Sequence, residues 1–140
     1  MVTTIKTSEE NKRIVSELTN KFELGTENLI ARIALAYSLK SGKKMNPIES
    51  RDTGGKEYSR SVLFGNYYPY YLAMICTHYQ IDYHNKDIPR YFKMHLDDGL
   101  EMINVDIKNN PNLLGFDYLL DRIEAGLEEI IEKGDGEPSV

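Results

Sequence analysis

The chain has 140 residues, 41% hydrophobic and 28% charged, with a formal net charge of −5, enough for one domain around a modest core. Its single cysteine, Cys76, excludes an internal disulfide, and no apolar run approaches the roughly 20 residues that cross a bilayer, so no membrane partner is expected. The opening MVTTIKTSEE lacks the basic start and apolar run of a secretory signal, and the cytoplasm is the expected compartment.

Residues 1–96 carry 14 Lys and Arg against 10 Asp and Glu, a balance of +4, whereas residues 97–140 carry 3 against 12, a balance of −9. Two readings fit this split. One is a basic face for nucleic acid with an acidic region turned elsewhere, and the other is a solvated acidic helix that leaves the total uneven.

Thr3 to Lys6 forms a short run rich in β-branched residues. Thr7-Ser8-Glu9-Glu10 then reads as a capping box, with Thr7 as the cap and Glu10 reaching back. Ile14, Val15, Leu18 and Phe22 follow at helical spacing, and Gly25 is expected to end this helix in a left-handed conformation. Thr26 is placed to cap a second helix, which runs to Gly42 and is apolar around much of its circumference. A strand followed by two helices is the pattern of a ribbon-helix-helix unit, whose ribbon pairs with a second chain and enters the major groove. The same residues also read as a plain helical hairpin with a frayed N-terminus, and the four-residue run favours this second reading. In either case a helix so apolar predicts burial on more than one side, which in a short chain points to subunit contact.

Residues 42–65 show neither helical nor strand periodicity and are expected to form one long basic loop. Between residues 40 and 60 lie six cations, Lys40, Lys43, Lys44, Arg51, Lys56 and Arg60, against three acids, a balance of +3. Spaced cations on a long loop suit a phosphate backbone better than a base edge, and the same composition also describes an ordinary solvated loop. The Gly54-Gly55 pair before Lys56 matches neither a P-loop nor a dinucleotide fingerprint, although its amides could form an anion nest.

The second half reads as helical. Asn66 is placed to cap a helix with Pro69 in its first turn and Leu72, Ile75, Cys76 and Tyr79 inward. Asp87 is placed to cap the next, with Ile88, Tyr91, Phe92, His95, Leu96, Leu100 and Ile103 as its stripe. A last helix begins near Phe116 with Leu119, Leu120, Ile123, Leu127, Ile130 and Ile131 facing away from Glu and Asp. The fold class is therefore mainly α: about five helices, with a short N-terminal strand if the ribbon forms, completed by oligomerisation. The domain spans 1–133, and 134–140 is expected as a disordered polar tail.

Two constellations invite a chemical reading. His95, Asp97, Asp98 and Glu101 fall within one turn or two, with His78 and His84 nearby, and a metal-dependent nicking site can be drawn from them. His95 also lies on the apolar stripe, which favours a structural histidine. Gly99, inside the same helix, points to close approach of another helix. Eight of the ten tyrosines fall between residues 58 and 91. They read either as a stacking platform for bases or, the favoured reading, as the edge of a small core.

The order of four stretches, IKTSEENKRIVSELTNKFELGTENLIARIALAYSL, GGKEYSRSVLFG, LAMICTHY and IPRYFKMHLDDGLEMI, resembles the DndE family, the small subunit of bacterial DNA phosphorothioation systems. The resemblance spans about residues 5 to 104 and leaves out the acidic helix from Phe116. It implies a non-enzymatic, cofactor-free, DNA-binding accessory subunit of a modification and defence system. Such a subunit forms a homotetramer, works beside the other phosphorothioation subunits and prefers nicked double-stranded DNA, which it holds through lysines. The residues here that fit this part are Lys6, Lys40, Lys43, Lys44, Arg51, Lys56 and Arg60, with Lys56 foremost because it lies in the GGKE stretch. A scaffold that joins the other subunits through the acidic helix, and a metal-dependent nicking enzyme, are the competing readings.

Overall fold

A computed structural model describes residues 2–110 and 115–136. Strand β1 (Thr4–Lys6) leads into α1 (Glu9–Lys21) and α2 (Glu27–Lys40). A 3-10 turn (Pro47–Glu49), strand β2 (Glu57–Ser59) and the short α3 (Arg60–Phe64) follow. α4 (Tyr68–Tyr79), α5 (Ile88–Asn109) and α6 (Gly115–Gly136) complete the chain. The fold is mainly helical, with one two-stranded antiparallel sheet near its N-terminus.

α5 is the axis of the packing. Its 22 residues give a rod of about 33 Å, and Ile88, Phe92, His95, Leu96, Leu100 and Ile103 are buried along it as the apolar spacing predicts. α2 lies against it more extensively than any other pair of elements. Gly99 is where the two backbones meet: a Cβ there would run into the carbonyl oxygen of Ala34. The close approach expected at Gly99 is therefore made within the chain. α2 is covered within the chain on its inner side. Ile30, Ala31, Ala34, Leu35 and Leu39 are buried by α1, α3, α4 and α5, whereas Leu29 is exposed and Ile33, Ala36 and Tyr37 are half-buried.

The N-terminal strand departs from the ribbon-helix-helix pattern and from the frayed hairpin alike. β1 pairs with β2 of its own chain, Thr4 with Ser59, Ile5 with Tyr58 and Lys6 with Glu57. Ile5 and Tyr58 are each 2% exposed, which ties the sheet to the core. The segment 42–65 is thus not one irregular loop, because the 3-10 turn, β2 and α3 lie within it.

Helix ends also differ in detail. Ser8, not Thr7, caps α1, its Oγ accepting from the Asn11 amide at 3.2 Å. Thr7 Oγ1 instead accepts from the Lys56 amide at 2.8 Å, stitching β1 to the loop. The left-handed residue that ends α1 is Glu23, at φ 55°, with the Glu23 and Leu24 amides donating to the Asn20 and Thr19 carbonyls. Gly25, also left-handed, follows in the turn. Thr26 and Asp87 occupy N-cap positions without side-chain cap bonds, and Tyr67 rather than Asn66 precedes α4. The tail expected over 134–140 has its last four residues outside the described ones, and α6 extends to Gly136.

Candidate nucleic-acid interface

The basic segment is held at both ends and in the middle. At its start, the Lys43 ammonium meets Asp98 at 3.1 Å, and the Lys43 carbonyl is within 2.5 Å of His78 Nε2. In the middle, Arg51 bridges two helices, pairing with Glu10 of α1 at 3.0 Å and with Glu101 of α5. At its end, Lys56 pairs with Glu27 at 3.3 Å, and its ammonium lies 5.9 Å from the centre of the Tyr58 ring. Arg60 lies 5.0 Å over the Tyr68 ring. Lys40 is exposed at the last turn of α2, beside the cleft lined by Tyr37, Tyr118 and Arg122. Lys6 is exposed on β1, directly across from Glu57. Lys44 is exposed and makes no ion pair or ring contact among the described residues.

These seven positions do not form one patch on a single protomer. Lys56 sits by the first residue of α2 and Lys40 is its last, about 20 Å apart along the helix. Three of the cations, Lys43, Arg51 and Lys56, are joined to carboxylates of their own chain. The side chains in those pairs are 21% to 60% exposed, so each pair contributes at most about 1 kcal/mol. Exchanging such a carboxylate for a phosphate costs little.

The Gly54-Gly55 amides are not open to an anion. Gly54 N–H donates to Asp52 Oδ2 at 3.1 Å, and Gly55 N–H to the Thr7 carbonyl at 3.0 Å. Asp52 Oδ2 also takes the Glu9 amide at 2.9 Å, at the first turn of α1. These amides hold the Asp52 carboxyl below the usual carboxylate range. The chain's own carboxylate occupies the anion position at this helix N-terminus. Gly55 has a steric role as well, since a Cβ would strike the Ser8 carbonyl and Thr7 Oγ1.

His95 and Asp98 meet at the Ser38 hydroxyl, and Asp97 does not join them. His95 is buried and uses both ring nitrogens, Nδ1 with Ser38 Oγ at 2.8 Å and Nε2 with the Tyr79 hydroxyl at 2.6 Å. Ser38 gives its proton to Asp98 Oδ2 at 2.7 Å, so it accepts from His95 Nδ1–H, and Tyr79 donates to Nε2. Burial, with His78 and Lys43 nearby, lowers the His95 pKa to about 4, against a smaller opposing pull from Asp98. Asp97 turns the other way, into a buried cluster. It accepts from Lys93 Nζ at 2.6 Å, the Ser8 amide at 3.0 Å and Asn11 Nδ2 at 2.8 Å. Among the described residues no group of three or more His, Cys, Asp or Glu side chains is placed to hold a metal ion. Lys93 and Asn11 carry no motif, and a lysine in the middle of an apolar stripe is the one sequence signal for this cluster. The tyrosines are divided: Tyr58 is in the core, Tyr68, Tyr71, Tyr79 and Tyr91 pack against it, and Tyr67, Tyr70 and Tyr83 are more than half exposed.

A sequence profile described as "DNA sulphur modification protein DndE" matches residues 4–110. Three quarters of the chain, including every element through α5, fall within that match, and the chain belongs to the DndE family. The crystal structure of DndE from Escherichia coli B7A, involved in DNA phosphorothioation modification, is similar in fold at 18% identity and a TM-score of 0.59. The match covers 74% of this chain and 99% of that one. A DndE G21/24K mutant structure gives 20% identity and a TM-score of 0.62 with the same coverage. None of the curated proteins matches the sequence. Family membership assigns the chain to DNA phosphorothioation. Among the described residues, no helix is long and apolar enough to cross a membrane.

Proposed function

We propose that this chain serves DNA phosphorothioation as a cofactor-free accessory subunit without catalytic activity of its own. It holds the phosphate backbone of double-stranded DNA, nicked duplex above all, in the cytoplasm beside the other modification subunits. The observation that carries this reading is the combination of DndE membership over residues 4–110 with exposed cations on the same residues. Lys44 and Lys6 supply unpaired charge, and Lys43, Arg51 and Lys56 exchange weak internal pairs for phosphates. Lys40 at the last turn of α2 and Arg60 over the Tyr68 ring add further charge.

One protomer is a weak attractor, because its cations are spread over about 20 Å. A homotetramer pools them, and multivalent display turns weak contacts into useful affinity. Support for self-association comes from α4. No Asp, Glu, Lys or Arg occurs from residue 61 to 81, only Ile75 of α4 is buried, and Tyr67, Tyr70 and Met74 are exposed. A nick lowers the cost of fitting DNA to a rigid surface, which gives preference without base reading.

Binding to intact, nicked and single-stranded oligonucleotides of one sequence tests the reading. Nicked duplex is expected to bind tightest. Changing Lys43, Lys44 and Lys56 together to alanine is expected to weaken binding at least tenfold. Equal binding to nicked and intact duplex would remove the nick preference, and undiminished binding by the triple variant would remove the cations.

A further inference from the structure

α6 lies beyond the family match, which ends at residue 110. Its first turns are fixed to the body of the molecule. Tyr118 is 4% exposed, its ring stacks on Phe22 with centroids 5.7 Å apart, and its hydroxyl donates to Asp106 Oδ2 at 2.7 Å. The Arg122 guanidinium lies 5.8 Å over the Tyr37 ring. Past this anchor the apolar face of α6 is open: Leu120 is 40%, Ile123 58% and Leu127 53% exposed. Steps of three and four residues put these side chains on one face of the helix, and in the sequence Ile130 and Ile131 continue the spacing. The same 22 residues carry seven acids against two bases.

Charge selects the occupant of this face. A second α6 would set seven carboxylates against seven, and nucleic acid and anionic lipid would be repelled in the same way. A protein groove with an apolar floor and a rim of lysine and arginine satisfies both halves of the helix at once, the arrangement by which amphipathic helices enter grooves. We propose that α6 is a docking helix whose Leu120, Ile123 and Leu127 face seats in a basic-rimmed apolar groove of a partner protein. Leu120, Ile123 and Leu127 are not among the DNA-holding residues.

Fluorescence anisotropy of the full chain with labelled 18-residue model helices tests this. One helix is leucine and lysine in amphipathic order, one has the same composition scrambled, and one carries glutamate in place of lysine. The amphipathic leucine-lysine helix is expected to bind saturably and at least tenfold tighter than the other two. Ile123→Asp with Leu127→Asp is expected to weaken it at least tenfold with circular dichroism and DNA affinity unchanged. Glu124→Lys with Glu128→Lys is expected to shift preference toward the glutamate helix. The proposal is overturned if the scrambled peptide binds equally or if the aspartate variant binds as wild type. It is also overturned if that variant lowers the sedimentation coefficient of the chain alone, which would make the stripe an interface between copies.

Discussion

At Asp97 two helices, α5 and α1, are tied together by one side chain. Its carboxylate, 3% exposed, takes the Lys93 ammonium one turn earlier on α5, the amide of the Ser8 cap and the Asn11 side chain of α1. Asn11 is oriented by this bond, since a reversed amide would turn its oxygen toward the carboxylate. Removing one partner of a buried ion pair leaves the other charged and without compensation, which costs about 3–5 kcal/mol. Asp97→Ala is therefore expected to lower unfolding free energy by that amount in urea titrations. Changing Lys93 to Met in the same chain is expected to restore part of it. His95 gives a second test at this scale. Its folded pKa of about 4 lies below the ordinary 6.5, so below pH 6.5 the unfolded chain takes up a proton that the folded chain refuses. Stability should fall between pH 6.5 and 4 by up to about 1.4 kcal/mol per unit and level off below. Asp52, with its lowered pKa, loses its contribution only below its ordinary 3.8, outside that window. The difference in unfolding free energy between wild type and His95→Gln is expected to narrow steadily as pH falls from 6.5 to 4. A constant difference would contradict a neutral buried His95.

The β1–β2 ladder and the loop that feeds it behave as one element. Thr7 N–H donates to the Lys56 carbonyl, the Lys56 amide to Thr7 Oγ1, and Gly55 N–H to the Thr7 carbonyl, so two short strands and a turn are closed by side-chain as well as ladder bonds. Gly55→Ala puts a Cβ into the Ser8 carbonyl, and overpacking of this kind costs about 1–3 kcal/mol. Faster tryptic cleavage after Lys56 is expected to accompany that loss, because strand and cap separate together. An unchanged digestion rate would show that the loop is held elsewhere. This element is the least legible in the sequence. Glu57-Tyr58-Ser59 is too short for an alternating pattern, and its partner lies some fifty residues earlier, so no local signal distinguishes β2 from a loop. By contrast the stripe from Ile88 to Ile103 is readable, because burial on a 3.6-residue period is a property of α5 alone, and Gly99 announces its neighbour through a missing side chain. The cap differs from the expected one by a single residue, since Thr7 and Ser8 are both good caps and the choice is made by Lys56, forty-nine positions away. Of the candidate interface, the identities of the cations are legible. Their carboxylate partners, Glu10, Glu27, Asp98 and Glu101, are not, because pairing is fixed by the packing of α1, α2 and α5.

Over the whole molecule, charge is partitioned rather than mixed. Residues 1–96 carry the basic excess that suits a polyanion, and the acidic surplus is concentrated from residue 97 onward, most densely in α6. Under the proposed function, affinity for DNA is electrostatic, and specificity comes from how several copies array their cations along a flexible backbone. The most direct measurement is the dependence of DNA affinity on salt, wild type against a chain with Lys6 and Lys44 both changed to alanine. A steep linear fall of log K with log salt is expected for wild type, shallower in the variant by close to one unit for each phosphate it no longer neutralises. Identical slopes for the two proteins, or an affinity indifferent to salt, would contradict a grip made by these cations on phosphate.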